Sequence, residues 1–448
     1  MNGVRRLALV GASAVVTGPP AGEAVRRPTA DHLGLVTGAG LGVEDGRVAL
    51  VAPEAEVREW AGERRTARWS QANANVVVDC EGRLITAGLV DCHTHAVFGR
   101  PRLEDQARRA RGEDYKAIAA AGGGILSSVE DFRSRGEEEL FRLTRSRVSL
   151  LAALGTTTLE IKSGYGLSVT EELKALRVVR RVAESVPVTV VPTFLGAHEV
   201  PSEYRSRRDA YVRLVVEEML PAVARERLAL FCDVFCEPGI FSLAESEAIL
   251  SAARQLGLAV KLHADELDPS GGAELAARLG AASADHLGAV SAAGVEALAA
   301  SRTVAVLLPG TLTFLGRSRQ APARALVDAG AVVALASDFN PGSSPSGNLP
   351  LMMALGVSQA RLSPAEAFIA ATVNAAAALG LGESAGRIVA GGRADLVVWN
   401  CRDVGELAYW FGMPLAWRTY AGGRPCHSGW QGVSSASYGA EPLSPPIQ

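Results

Sequence analysis

The apolar positions of this chain fall into two patterns. From Met1 to about Arg83, short Val- and Leu-rich runs (LALVGASAVV, GLGVEDGRVALVAP, NVVVDCEGRLI) are broken by Gly, Pro and Asp, the punctuation of strands and turns. From about Thr86, strand-like runs alternate with stretches of helical period such as EELKALRVVRRVAES and LAESEAILSAARQLG. Eight such strands can be counted: GLVDCH, TTLEIK, VTVVPTF, LALFCDVF, LAVKLH, ASADHL, TVAVLLP and VVALAS. Eight βα repeats predict a (β/α)8 TIM-type barrel rather than an open doubly wound sheet, which usually shows fewer. After about Glu383, strand-like sequence returns in GRIVAGGRADLVVWN and WRTYAGGRP. Because the two β-rich ends flank the barrel in sequence, they are expected to pair into one small β-sandwich. The predicted organisation is α/β, with residues 1–85 and 383–448 in the sandwich and 86–382 in the barrel. The Ser-, Gly- and Pro-rich end from about Gly429 is expected to fray.

Composition narrows the function. The 448 residues include 48% apolar and 21% charged positions, the profile of a chain that buries a core. Its 45 basic and 48 acidic residues leave a net charge of −3, with no basic field for nucleic acid. Six scattered cysteines do not make a disulfide framework and read as reduced, buried small hydrophobes. Arg5-Arg6 before LALVGASAVV has the outline of a secretory signal, but the continuation through Pro19-Pro20 into further strand-like sequence favours a first β-strand. No apolar run reaches the ~18 residues that span a bilayer. A cytoplasmic protein with no membrane partner is expected.

The candidate chemistry sits where the strands end. Of the seven histidines, five follow predicted barrel strands: His93 and His95 the first, His198 the third, His263 the fifth and His286 the sixth. In a barrel of this kind those ends converge on one mouth, where catalytic groups are held. Asp338 follows the eighth strand and joins the same rim next to the first. The period-two spacing of His93-Thr94-His95 puts both imidazoles on one face of a strand, able to bind the same ion. With His263 and Asp338 they offer three nitrogens and an oxygen, a set suited to Zn2+ or to Fe2+/Fe3+. Glu266, three residues beyond His263, suits a general base that takes a proton from an activated water and passes it to a leaving nitrogen. His286 could hydrogen-bond that water or a developing oxyanion, or support a ligand. Lys162 lies on the second strand, whereas the carbamylated lysine that bridges two metals in some barrel hydrolases comes from the fourth. One metal ion per subunit is therefore expected, with Lys162 structural or a minor contact.

Taken together, DCHTHAVFGRPR (91–102), GGGI (122–125), EIKSGYGL (160–167), FLGAHEVP (194–201), KLHADE (261–266), ADHL (284–287) and SDFNPGSSP (337–345) resemble the imidazolonepropionase family of the metal-dependent amidohydrolase superfamily. The resemblance covers most of the chain. It implies hydrolysis of the ring C–N bond of 4-imidazolone-5-propanoate to N-formimidoyl-L-glutamate, the third step of histidine degradation, by a homodimer. It places the metal ligands on His93, His95, His263 and Asp338. Substrate contacts fall on Arg102, Tyr165, His198, Glu266, Asn340, Gly342 and Ser343, and catalysis on Glu266, His286 and Asp338. Arg102 rather than Arg100 matches, seven residues after the second histidine of HTH. It would hold the substrate propionate bidentately. The nearest alternative, a nucleobase deaminase, shares the ligand pattern but has no use for such a carboxylate clamp. Two departures stand out: Arg100-Pro101 interrupts a stretch that is usually Gly-rich, and the segment from about Pro19 to Gly38 has no counterpart.

Overall fold

Seven strands precede the barrel: β1 (Arg6–Val10), β2 (Ala14–Val16), β3 (Leu35–Thr37), β4 (Ala39–Glu44), β5 (Arg47–Pro53), β6 (Val76–Asp79) and β7 (Leu84–Ala87). The barrel takes β8 (Leu89–Asp91), β9 (Thr156–Lys162), β10 (Thr189–Ala197), β11 (Phe231–Cys236), β12 (Ala259–Ala264), β13 (Ser283–His286), β14 (Val304–Leu307) and β15 (Val333–Leu335). Three more follow, β16 (Leu396–Trp399), β17 (Ala416–Ala421) and β18 (Arg424–Ser428). The computed structural model describes residues 6–20, 22, 24–62, 75–114, 117–118 and 121–428. The tail expected to fray lies outside them.

The strands β8 to β15 pair in chain order, each parallel to the next. β15 returns to β8 beyond both strand ends, through a parallel bridge between Thr94 and Phe339. There the Asp338 N–H donates to the His93 carbonyl (3.0 Å) and the His95 N–H to that of Phe339 (2.9 Å). The closure thus joins the two histidines that follow the first strand to the aspartate that follows the eighth.

Local sequence places the intervening helices. The helix Val169–Ser185 starts where the Ser168 hydroxyl accepts the Glu171 N–H, and it buries Leu173, Leu176, Val179 and Val182 along one face. Ser242 and Glu245 form a reciprocal cap at the start of the helix Leu243–Gln255. Burying each such Leu or Val contributes roughly 1.5–3 kcal/mol.

The terminal strands form two sheets, β5-β4-β1-β6 and β18-β17-β16-β7-β2-β3, so both ends of the chain contribute to the second. Leu7, Leu9, Leu41 and Val78 of one face Val15, Ile85, Leu396 and Val398 of the other in a single apolar cluster, as expected for a sandwich. The all-β reading of the N-terminal segment missed the helix Glu54–Ala61, whose Val57 and Ala61 pack four residues apart against β1 and β4. GRIVAG, expected as strand, is irregular: Gly391 and Gly392 turn back to pair with Val48 of β5. β7 runs into β8 across Gly88 alone, where a Cβ would overlap the side chain of Thr157. Of the segment around residues 19–38, Leu35–Thr37 is β3 of the second sheet, while Val25, Arg26 and the turn Ala30–Leu33 lie against the barrel. Val25 pairs through its backbone with the Asn374 amide, and Arg26 donates to the carbonyls of Ala299, Ser301 and Gly330. Among the described residues no helix is long and apolar enough to cross a membrane.

Candidate active site

Alternation along β8 and its extension sends His93 and His95 to the barrel mouth, while the Thr94 hydroxyl turns to the Glu160 carbonyl. His263 ends β12 and Asp338 follows β15 with a left-handed φ of 50°, a strained conformation for a non-glycine residue. The Nε2 atoms of His93 and His95 stand 3.2 Å apart, and those of His95 and His263 3.4 Å apart. Asp338 Oδ1 is 3.5 Å from both His93 Nε2 and His95 Nε2. All four side chains are buried.

The residues behind them fix which atoms face inward. His93 Nδ1 donates to Asp285 Oδ2 (2.6 Å), and His263 Nδ1 lies 3.0 Å from Asp233 Oδ2. The Asp285 carboxylate holds the proton on His93 Nδ1 and leaves its Nε2 with the lone pair, while Asp233 stands close beside His263 Nδ1. Asp338 Oδ2 accepts from the Thr311 hydroxyl at 2.6 Å, which leaves Oδ1 for the histidines. Burial, followed by the positive charge of Lys162 for His93 and the proximity of His198 for His95, pushes both imidazoles well below the ordinary histidine range. Three lone pairs and a carboxylate oxygen aimed at one point repel one another unless a cation lies between them. The donor set fits a metal ion.

The cleft above this cluster is lined by His95, Arg102, Ile125, Tyr165, His198, Phe235, His263, Glu266, His286, Asp338, Asn340 and Ser343. Arg102 is 7% exposed in its side chain, with one guanidinium nitrogen 4.0 Å from Asp105, and its buried Nε has no hydrogen-bond partner among the described residues. Arg100 is 71% exposed and points elsewhere. The SGYGL turn carrying Tyr165 is gripped by Glu172, whose carboxylate accepts the N–H groups of Gly164 (3.1 Å), Gly166 (2.8 Å) and Leu167 (2.8 Å). His198 Nδ1 donates to the Gly164 carbonyl (2.9 Å), and burial pushes this imidazole down to about 3. Glu266 is buried opposite, its Oε2 3.6 Å from His286 Nε2. Burial, then the charges of Asp338 and Glu237, push its carboxyl well above the usual range, and burial holds His286 neutral. A carboxyl so raised holds its proton more readily than an exposed one, the property of a group that takes up a proton and passes it on.

Some expected residues occupy places that the sequence does not reveal. Asn340 is consumed by its own loop: its amide donates to the Asp338 carbonyl and Ser343 hydroxyl and accepts from the N–H groups of Gly342 and Ser343. Gly342 lies against the Arg102 guanidinium, which a Cβ would overlap. Lys162 is buried beneath the histidines, 2.8 Å from Glu160, 2.6 Å from Asp233 and 3.5 Å from Asp285. Sequence reasoning missed Phe235, Ile125, Asp233, Asp285 and Thr311. Period two from Asp233 to Phe235 on β11 was the available signal for two of them.

Residues 99–408 match the Amidohydrolase family. The chain is 46% identical to an imidazolonepropionase of Symbiobacterium thermophilum over 93% of its own length and 96% of that protein, and 42% identical to one of Solibacter usitatus over 91% and 94%. Solved structures share the fold at lower identity. A 5-methylcytosine deaminase of Klebsiella pneumoniae has a TM-score of 0.69 at 16% identity, covering 96% of this chain and 100% of that one. E. coli guanine deaminase has a TM-score of 0.68 at 16% identity, covering 94% and 99%. The barrel is thus common to enzymes of several names, while the nearly end-to-end identity is with one of them, and by it the chain belongs to the imidazolonepropionase family of amidohydrolases.

Proposed function

We propose that this chain hydrolyses the ring C–N bond of 4-imidazolone-5-propanoate to N-formimidoyl-L-glutamate, with one metal ion, Zn2+ or Fe2+/Fe3+, held by His93, His95, His263 and Asp338. The observation that carries the reading is Arg102: a buried guanidinium with an unused Nε on the wall of a cleft whose floor is the histidine cluster. A small molecule with a carboxylate at one end and a hydrolysable ring at the other suits that arrangement. When bound, the ion supplies Lewis acidity and acidifies water.

The protein's own groups do the rest. Arg102 fixes the propionate, and Tyr165 and His198, with Asn340, Gly342 and Ser343 shaping the far wall, orient the ring. His198 stays neutral throughout the working range, so it takes part as a hydrogen-bonding group without changing charge. Glu266 takes the proton of the attacking water and delivers it to the departing ring nitrogen. His286, neutral and beside Glu266, donates to the oxygen on which negative charge develops. The resemblance also supports a cytoplasmic homodimer, with residues 1–85 and 383–448 as one domain and 86–382 as the other.

The test follows the ultraviolet absorbance of 4-imidazolone-5-propanoate, with and without a chelator. Metal-dependent loss is expected, reduced roughly thousandfold by Glu266→Gln. Arg102→Ala should raise KM far more than it lowers kcat for this substrate. Inactivity of metal-replete protein on it, with turnover of a nucleobase instead, would overturn the substrate assignment.

A further inference from the structure

Glu237 stands at the end of β11, one residue beyond Cys236, with 4% of its surface exposed. Among the described residues no lysine, arginine or histidine pairs with it. Its partners are three consecutive peptide groups of the loop after β12: Oε2 accepts the Glu266 N–H (3.1 Å), and Oε1 those of Leu267 (3.2 Å) and Asp268 (2.8 Å). A buried carboxylate without a cation is costly to keep, and this one is kept where the loop that carries Glu266 begins.

The far part of that loop has its own anchor. Asp265, at a left-handed φ of 51°, accepts from Ser270, Gly271 and Ala273. Those bonds shape residues 270–273 and leave Glu266 untouched. On the other side, the Ala289 N–H donates to the Asp265 carbonyl, and Gly288 leaves room for the Glu266 carbonyl. The Asp265–Glu266 peptide is thus held at both ends, its carbonyl by Ala289 and its N–H by Glu237, and among the described residues Glu237 is the side chain that reaches it, in the same way that Glu172 grips the turn of Tyr165.

We propose that Glu237 is a positioning residue for the reaction, clamping the Glu266 peptide from β11 so that the Glu266 carboxyl is held at one place in the cleft. The inference rests on the role given to Glu266 above. A general base displaced by about 1 Å loses on the order of a hundredfold in rate, while the metal ligands and the Arg102 wall stay where they are.

The experiment is a double-mutant cycle on the metal-loaded enzyme, with kcat, KM, metal content and thermal unfolding recorded for each protein. Glu237→Ala should lower kcat about a hundredfold, shift KM much less and leave metal content near one per chain. Glu237→Gln, which retains an acceptor oxygen, should recover about tenfold of that loss. In a Glu266→Gln background, either substitution should cost less than about twofold more, because the group being positioned is gone. Equal losses in both backgrounds, lost metal, or an unchanged kcat in Glu237→Ala would overturn the proposal and leave the role of Glu266 standing. Full activity of Glu266→Gln alone would overturn both. If Glu237→Ala does not fold, Glu237→Gln completes the cycle.

Discussion

Between the terminal sheets, Leu9, Leu41, Val78, Ile85, Leu396 and Val398 pack with no carboxylate, lysine or histidine among them. Beneath the barrel mouth, equally closed to water, lie Glu160, Lys162, Asp233, Lys261 and Asp285, all fully buried. The first interior is held by apolar area, and any aliphatic side chain of the right volume serves it. The second is held by mutual neutralisation. Burial alone would strip Lys162 of its proton, but the Asp233, Glu160 and Asp285 carboxylates around it keep it charged, and Lys261 meets the other oxygen of Glu160 at 2.9 Å. Two of those carboxylates also back His93 and His263. The charged interior is therefore the foundation of the site, and the aliphatic one a support that can change without touching the chemistry.

That contrast can be broken or sharpened by substitution, starting with the largest effect. His263→Ala removes a nitrogen from the cluster and should cost the bound metal and at least roughly a thousandfold in kcat/KM, read by elemental analysis and turnover. Lys162→Met leaves buried carboxylates without their shared cation and should destabilise the fold by about 3–5 kcal/mol in denaturant titration; a cost below ~1 kcal/mol would mean that the network does not depend on this charge. Leu396→Ala opens a cavity between the sheets worth roughly 2–5 kcal/mol, yet kcat/KM and metal content should stay within about twofold. If they fall, the two interiors are coupled and the comparison is wrong. Gly342→Ala pushes a methyl into Arg102 and should raise KM about tenfold to a hundredfold while stability barely moves.

The smallest effect at neutral pH belongs to His198. Burial, then the neighbouring His263, lower it from 6.5 to about 3. Between those values the unfolded chain binds a proton that the folded one does not, so its stabilising contribution is complete above 6.5 and declines as pH falls towards 3. Replacing it with Asn should flatten the acid side of the stability profile by about one proton. In the sandwich, burial likewise lowers His427 on β18, but among the described residues no histidine belongs to the apolar cluster between the sheets.

The chain's own pattern determined much of this. Eight apolar runs separated by helical stretches gave the barrel, because strand and helix periods are local properties of sequence. HTH at the end of one run, KLHADE at another and SDFNPG at the last placed ligands on one rim, because parallel strands of a barrel end at the same side. Of the two arginines in that loop, Arg102 is buried at 7% side-chain exposure and Arg100 lies open at 71%. What the pattern could not give was the identity of neighbours across strands. Period two sends Asp233 and Phe235 inward, but only the register of β11 against β12 sets Asp233 beside His263 and Glu237 beside the Glu266 peptide. Lys162 reads from sequence as structural or a minor contact, and only the fold shows the acids that three strands bring to it. Gly342 reads as a substrate contact, and the fold adds that its missing Cβ leaves the space that the Arg102 guanidinium occupies. Sequence fixes which face a side chain takes. Which atom it meets there depends on barrel closure, a property of all eight strands at once.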